Sequence, residues 1–185
     1  MIDELLADGR RRMDKSVDAT LQEFNTVRTG RASAALLDRI TVDYYDQKTP
    51  VKQLATINVP EPRMLTIQPF DPSSLAMIER AILESGLGLT PSNDGKIIRL
   101  PIPQLTEERR KELVRFVRQL AEEGRIAVRH VRRDVMSDLK ELKASGDVGS
   151  DEEHRAEERL QKLTDEHVHR VDDLLKKKEE EILEV

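Results

Sequence analysis

From Thr106 to about Lys143 the chain carries apolar side chains at helical spacing without a single proline, and this segment sets most of what the chain can become. Its seam is Leu113, Phe116/Val117, Leu120, Ala127/Val128, Val131, Val135, Leu139 and Leu142. Steps of three and four place these residues on one helical face. Thr106 is a suitable N-cap, with Glu107 and Glu108 at the positive end of the helix dipole. Gly146 and Gly149 mark the end. At the helical rise such a segment is roughly 55–60 Å long. A narrow stripe on so long a rod cannot bury itself, so the chain must supply partners.

Two further segments do so. Residues 2–28 place Ile2, Leu5, Leu6, Met13, Val17, Leu21, Phe24 and Val27 on one face, with Gly9 on the seam as a mild weakening. From Ser150 on, the seam is Ala156, Leu160, Leu163, His167, Val171, Leu174/Leu175, Lys178 and Ile182. Ser150 and Glu153 stand at capping-box spacing. The link between the second and third helices is short, so they pack antiparallel, and steps near 3.5 suit a left-handed three-helix bundle. Composition agrees: charged residues make up 36% and aromatics 3%, with no Trp, which favours long helices over a broad core.

Residues 32–104 have another character. Prolines gather here, and Ile40–Tyr45, Leu54–Val59 and Met64–Ile67 read as strands. Asp71-Pro72 opens a short helix over about 73–85 that Gly86 closes. Asn93-Asp94-Gly95 turns into a last strand, Lys96–Leu100. The expected fold is therefore α+β: an antiparallel three-helix bundle (1–30 and 105–185) with a small β/α/β domain (31–104) inserted between helices one and two. The chain leaves the bundle through Thr29, Gly30 and Arg31 and returns through Pro101, Ile102, Pro103 and Gln104, which together form a candidate hinge.

Charge is unevenly spread. The net value is −5, yet residues 109–133 hold nine basic and three acidic residues, whereas residues 147–185 hold seven and fourteen. On a helical wheel, Lys111, Arg115, Arg118, Arg125, Arg129, Arg132 and Arg133 fall on one outer face of the second helix, interrupted only by Glu122. Arginine donates a bidentate fork to phosphate and stacks on bases, so this ridge suits RNA read by shape and backbone. No aromatic residues interleave with it, which argues against a sequence-reading single-strand binder. If helices one and two are antiparallel, Arg10 and Arg11 lie near the level of Arg125–Arg129, and Arg28 and Arg31 near Arg109–Arg110. The competing reading is an ordinary solvated face paired with acidic neighbours.

Catalytic readings find little support. Gly95-Lys96 lacks the rest of a phosphate-binding loop. The histidines, His130, His154, His167 and His169, show no metal-ligand spacing, and His167 reads as a seam residue. There is no Cys, so disulfides and thiolate chemistry are excluded. No apolar run approaches a membrane span, and the acidic start Met1-Ile2-Asp3-Glu4 has no signal-peptide core, so a cytoplasmic protein is expected. A helical scaffold or RNA chaperone, and a hydrolase using paired carboxylates in the insert, are the rival classes.

Several stretches together carry a family resemblance. They are Arg28-Thr29-Gly30-Arg31-Ala32-Ser33, Val42-Asp43-Tyr44-Tyr45, Thr49-Pro50 with Gln53-Leu54-Ala55, and Leu87-Gly88-Leu89 before Pro91. With them go Ile98–Pro103, Leu105–Lys111, Arg129-His130-Val131-Arg132-Arg133-Asp134 and Gln161-Lys162-Leu163-Thr164-Asp165. In these the chain resembles the ribosome recycling factors over essentially its whole length. Asp46 stands where a turn glycine is common, Gly124 where alanine is frequent, and His130 where asparagine is frequent. Gly124 is expected to loosen the second helix.

The resemblance implies an L-shaped, monomeric, non-catalytic protein without cofactor or metal. It implies binding to the large ribosomal subunit after termination and cooperation with elongation factor G, which hydrolyses GTP. Arg28, Arg129, Arg132 and Arg133 look like the RNA contacts, Arg132 foremost. Arg31, Arg110, Lys111, Arg118 and Arg125 extend the expected surface.

Overall fold

The computed structural model describes residues 1–183. Helix α1 spans Ile2–Asn25, and after a short 3-10 turn at Ala34–Leu37 come strands β1 (Thr41–Tyr44) and β2 (Gln47–Pro50). Next are a single helical turn α2 (Val51–Leu54), strands β3 (Ala55–Glu61) and β4 (Met64–Pro69), helix α3 (Leu75–Glu84), and strands β5 (Ser92–Asn93) and β6 (Ile98–Pro101). Helices α4 (Glu107–Ala144) and α5 (Ser150–Leu183) complete the chain. The described residues divide into two compact units, Met1–Arg28 with 107–183, and Thr29–Thr106.

In the first unit the expected seams meet. Met13, Val17 and Phe24 of α1, Val117, Val128, Val135 and Leu139 of α4, and Leu160, Val171 and Ile182 of α5 are buried. Burying such side chains contributes about 1.5–3 kcal/mol each. Helix α1 runs antiparallel to α4: Gly9 faces Val135, Arg12 binds Asp134, and Gly124 faces Thr20. This register corrects one expectation. Arg10 and Arg11 lie near the level of Arg133 and Asp134, not of Arg125–Arg129.

Two local expectations also change. Glu153 is no capping-box partner. It is buried, and its carboxylate takes an ion pair from Lys143 Nζ at 2.8 Å, which fastens the end of α4 to the start of α5. That pairing raises the Lys143 pKa. Nor is Gly9 merely a weak point. A Cβ there would stand 3.0 Å from Val135 Cγ2, so glycine permits close approach of the two helices.

The second unit has its own core of Leu37, Val51, Leu65, Ile67, Ile78, Ile82, Ile98 and Leu100. Strands β1 and β2 form an antiparallel hairpin, and the others an antiparallel sheet in the order β3-β4-β6-β5. Sequence periodicity anticipated β1, β3, β4, α3 and β6 but not β2, α2 or β5, whose Asn93 reads as part of a turn. Gln47-Lys48-Thr49-Pro50 shows no apolar alternation and earns its strand only by pairing with Thr41–Tyr44. The connecting residues Tyr45 and Asp46 both have positive φ, 49° and 61°, as a two-residue turn of the type favoured in hairpins requires. Asp46 thus occupies a conformation glycine would take more easily.

Both ends of this unit fasten to one turn. The Ala32 N–H donates to the Pro62 carbonyl at 2.7 Å and the Ile102 N–H to the Arg63 carbonyl at 2.8 Å. Pro101 lies in β6 opposite Met64, and Ile102 is buried in the unit's core. Within this unit Pro101 ends β6 with its side chain exposed, whereas the Ile102 side chain is buried in the core.

Candidate nucleic-acid interface

The ridge exists as a surface, but its members differ in state. Lys111, Arg115, Arg118, Arg129 and Arg133 are exposed, while Arg125 and Arg132 are half-buried where α4 meets α5. Their partners come from α5, at sequence separations no local pattern reveals. Arg118 Nε donates to Glu179 Oε1 at 2.7 Å. Arg125 Nε donates to Asp172 Oδ1 at 2.7 Å, and its Nη1 to Glu122 at 3.0 Å. Burial works against the Arg125 charge, but the two carboxylates outweigh it and the pKa rises. The competing reading, a face paired with acidic neighbours, thus holds at Arg118 and Arg125, each with a partner on α5. Those two are structural clasps between helices.

The remainder is different. Arg132 Nε donates to the amide oxygen of Gln161 at 2.9 Å, and Arg132 makes no ion pair among the described residues. Arg129 approaches Glu122 only at 3.7 Å with both side chains half exposed, so water screens the pair. Arg133 has no hydrogen-bond or ion-pair partner among the described residues, and it lies beside Asp134, whose carboxylate is taken by Arg12 Nη2 at 2.5 Å. The Arg12 hydrogen bond lowers the Asp134 pKa, with His130 and Arg133 adding to the effect. Asp134 is thereby occupied on the α1 side. Arg129, Arg132 and Arg133 form a compact cationic group on one turn and a half of α4.

The other expected residues are less concentrated. Arg28 is exposed just beyond α1. Lys111 pairs loosely with Glu107 at 3.7 Å on the exposed surface. Arg110 is half-buried, and its Nε is shielded from solvent with no acceptor among the described residues. Arg31 belongs to the second unit. Thr29 and Gly30 also open that unit, with Gly30 at φ 78°. Sequence reasoning missed Gln161 as a neighbour of Arg132, although it stands within one of the stretches that carried the resemblance.

His167 is a seam residue, as expected, but a polar one. It is 1% exposed, with Nδ1 2.7 Å from the Leu163 carbonyl and Nε2 2.7 Å from Asp14 Oδ1. Arg170 Nη1 donates to the same carboxylate oxygen at 2.7 Å. The His167 and Arg170 hydrogen bonds hold the Asp14 pKa below its usual value. This cluster ties α1 to α5 with every group engaged. Among the described residues there is no group of three or more His, Asp or Glu placed to hold a metal ion, and no helix long and apolar enough to cross a membrane.

A bundle of three long helices, interrupted after the first by a small antiparallel α/β unit and bearing an arginine cluster on its longest helix, defines a narrow class of protein. The family model for ribosome recycling factor matches residues 20–183, and the chain belongs to that family. A ribosome-recycling factor of Rubrobacter xylanophilus is 57% identical over 180 residues, covering 97% of each chain. One of Bacillus subtilis is 52% identical over 185 residues, covering all of both. Among solved structures, a solution structure of the ribosome recycling factor matches with a TM-score of 0.78 at 42% identity, covering 100% of this chain and 98% of that one. A Thermus thermophilus recycling factor, described with Escherichia coli elongation factor G on the post-termination complex, matches with a TM-score of 0.67 at 47% identity and 99% coverage of each.

Proposed function

We propose that this chain recycles ribosomes as a non-catalytic cytoplasmic factor. It binds the large subunit of the post-termination complex through the bundle and, with elongation factor G and GTP, separates the subunits and frees mRNA and tRNA. GTP chemistry belongs to the partner. The observation that carries the RNA contact is the state of α4's cations: Arg129, Arg132 and Arg133 are free of close α5 carboxylates, while Arg118 and Arg125 are not. A guanidinium already clasped by a carboxylate gains little from a phosphate, because the incoming group must displace an existing charge-assisted bond. The contact surface is therefore Arg129, Arg132 and Arg133, and Arg28, beyond the far end of α1, is a separate contact that rests on the family likeness. Arg31, Arg110 and Lys111 are peripheral.

The second element is movement of the insert on the bundle. Pro101 is paired in β6 and Ile102 lies in the insert's core, so we place the hinge's main dihedral change at Gly30 and at Pro103-Gln104. Family membership and the full-length match to a factor described with elongation factor G support this reading. The test is polysome breakdown by the purified protein with elongation factor G and GTP, run beside the Arg132→Ala variant. Breakdown by the parent and its loss in the variant are expected. A parent without activity refutes the function, and full activity of the variant refutes the assigned contact.

A further inference from the structure

Three arginines of α4 stand seven residues apart, Arg118, Arg125 and Arg132, and each donates its Nε–H to a side chain of α5. The first two acceptors, Glu179 and Asp172, are also seven apart in the opposite direction, as an antiparallel helix pair dictates. Continued by one step, the series reaches Asp165. A third arginine–carboxylate clasp, Arg132 with Asp165, is what the repeat calls for.

The structure does something else. Gln161, one turn before Asp165, occupies the place between them. Its Oε1 accepts from Arg132 Nε at 2.9 Å, and its Nε2 donates to Asp165 Oδ1 at 2.9 Å. The amide thus satisfies both ends of a pair it keeps apart. Arg132 is oriented through its Nε by a neutral acceptor, so its charge is not cancelled. Both Nη amines remain for a bidentate anion contact.

We propose that Gln161 is a positioning residue for the ribosomal RNA contact: it holds Arg132 ready while withholding Asp165 from it. This rests on the reading that Arg132 grips RNA, and it explains why the repeat is broken at that rung alone. Two roles are separable. The carbonyl aims the guanidinium, and the amide N–H engages the competing carboxylate.

Each role has a variant. Gln161→Ala removes the amide and lets Arg132 close on Asp165. Gln161→Glu keeps the acceptor but cancels the charge. Both substitutions fall on the exposed face of α5, and circular dichroism melting is the check that each variant folds. Binding of full-length protein to purified large ribosomal subunits is measured across a salt series. Each variant is expected to weaken binding about tenfold, the size of one charge-assisted hydrogen bond. Each is also expected to make the log–log salt dependence shallower by about one, as if one cation had left the interface. A purely structural role for Gln161 would leave that slope alone. Adding Asp165→Asn to Gln161→Ala removes the competing charge and should restore both affinity and slope.

Arg132→Ala is the control that separates the layers. Loss of affinity with Arg132→Ala but not with Gln161→Ala overturns the positioning role and leaves the RNA reading intact. Loss with Gln161→Ala that Asp165→Asn does not restore overturns the withholding of Asp165. Unchanged affinity with Arg132→Ala defeats the RNA reading, and the proposal falls with it.

Discussion

Gly124 of α4 lies against Thr20 of α1 with no space for a methyl group between them. A Cβ at position 124 would overlap the Thr20 hydroxyl and stand 3.2 Å from Thr20 Cγ2 and 3.3 Å from Thr20 Cβ. The Thr20 hydroxyl is itself fixed, donating to the Ser16 carbonyl at 3.0 Å. Glycine at this point lets the two helices approach closely, a packing role that stands beside its expected loosening of α4. Gly124→Ala should gain about 0.5–1 kcal/mol of helix propensity. It should lose about 1–3 kcal/mol to overpacking, so the net effect is destabilising. Pairing it with Thr20→Ala should recover most of that loss. Denaturant unfolding of both single variants and the double measures the coupling, and strict additivity would show that the two residues do not compete for the same space.

Arg125 and Arg132 should fail in opposite ways. Arg125 is clasped by Asp172 and Glu122 and has a side chain only 19% exposed. Its replacement by Ala is expected to cost about 1 kcal/mol of stability and little subunit affinity. Arg132→Ala should change stability by no more than about 0.5 kcal/mol and lower affinity about tenfold. Melting temperatures and subunit co-sedimentation, taken on the same preparations, decide this. The same order of effects in both assays would erase the distinction between clasp and contact.

Acid should loosen the two units through identifiable carboxylates. Asp94 accepts from the Ile97 and Lys96 backbone N–H groups and from Arg99, which lowers its pKa to about 2 from 3.8. Asp14 is lowered in the same direction by His167 and Arg170. A carboxylate whose folded pKa lies below its unfolded value contributes fully above the unfolded value, and that contribution disappears as pH falls through the folded one. For Asp94 the window runs from about pH 4 down to about pH 2. NMR titration of Asp94 and amide exchange at Lys96 and Ile97 follow the turn directly. Asp94→Asn should flatten stability across that window, and an unchanged acid limb would remove Asp94 from the account.

Gly30 carries the backbone test of the hinge. At φ 78° it sits where L side chains are strained. Proline cannot reach this φ at all, so Gly30→Pro would disrupt the local fold as well as stiffen it. Gly30→Ala is the gentler probe, with a cost of about 1–2 kcal/mol at that dihedral. Gly30→Asn, which tolerates the left-handed region, is its control. Subunit splitting with elongation factor G and GTP should suffer in Gly30→Ala more than large-subunit binding does. Equal loss of both would count against a hinge at this position.

How far the sequence disclosed this molecule follows from the range of the interactions involved. The seams of α1, α4 and α5 are local patterns, so Val117, Val128 and Leu160 were legible as core. The arginine face of α4 was legible for the same reason. What divides that face into clasps and contacts was not, because Glu179 and Asp172 lie 61 and 47 residues from their arginines. Glu153 was misread because its spacing from Ser150 satisfies a local rule, while its buried carboxylate answers to Lys143. The close approach at Gly124 depends on the opposing side chain at position 20, which no property of α4 encodes. Strand β2 needed its partner strand before its polar residues made sense as a strand.

The paired anchoring of Ala32 and Ile102 on the Pro62-Arg63 turn has a mechanical corollary. Pulling the two ends of the unit apart would load the turn between β3 and β4, because both ends hydrogen-bond to adjacent carbonyls there. The module is closed at its own base, like a ring whose clasp lies inside it. The entry and exit of the unit are thus held close together by bonds made within the unit itself.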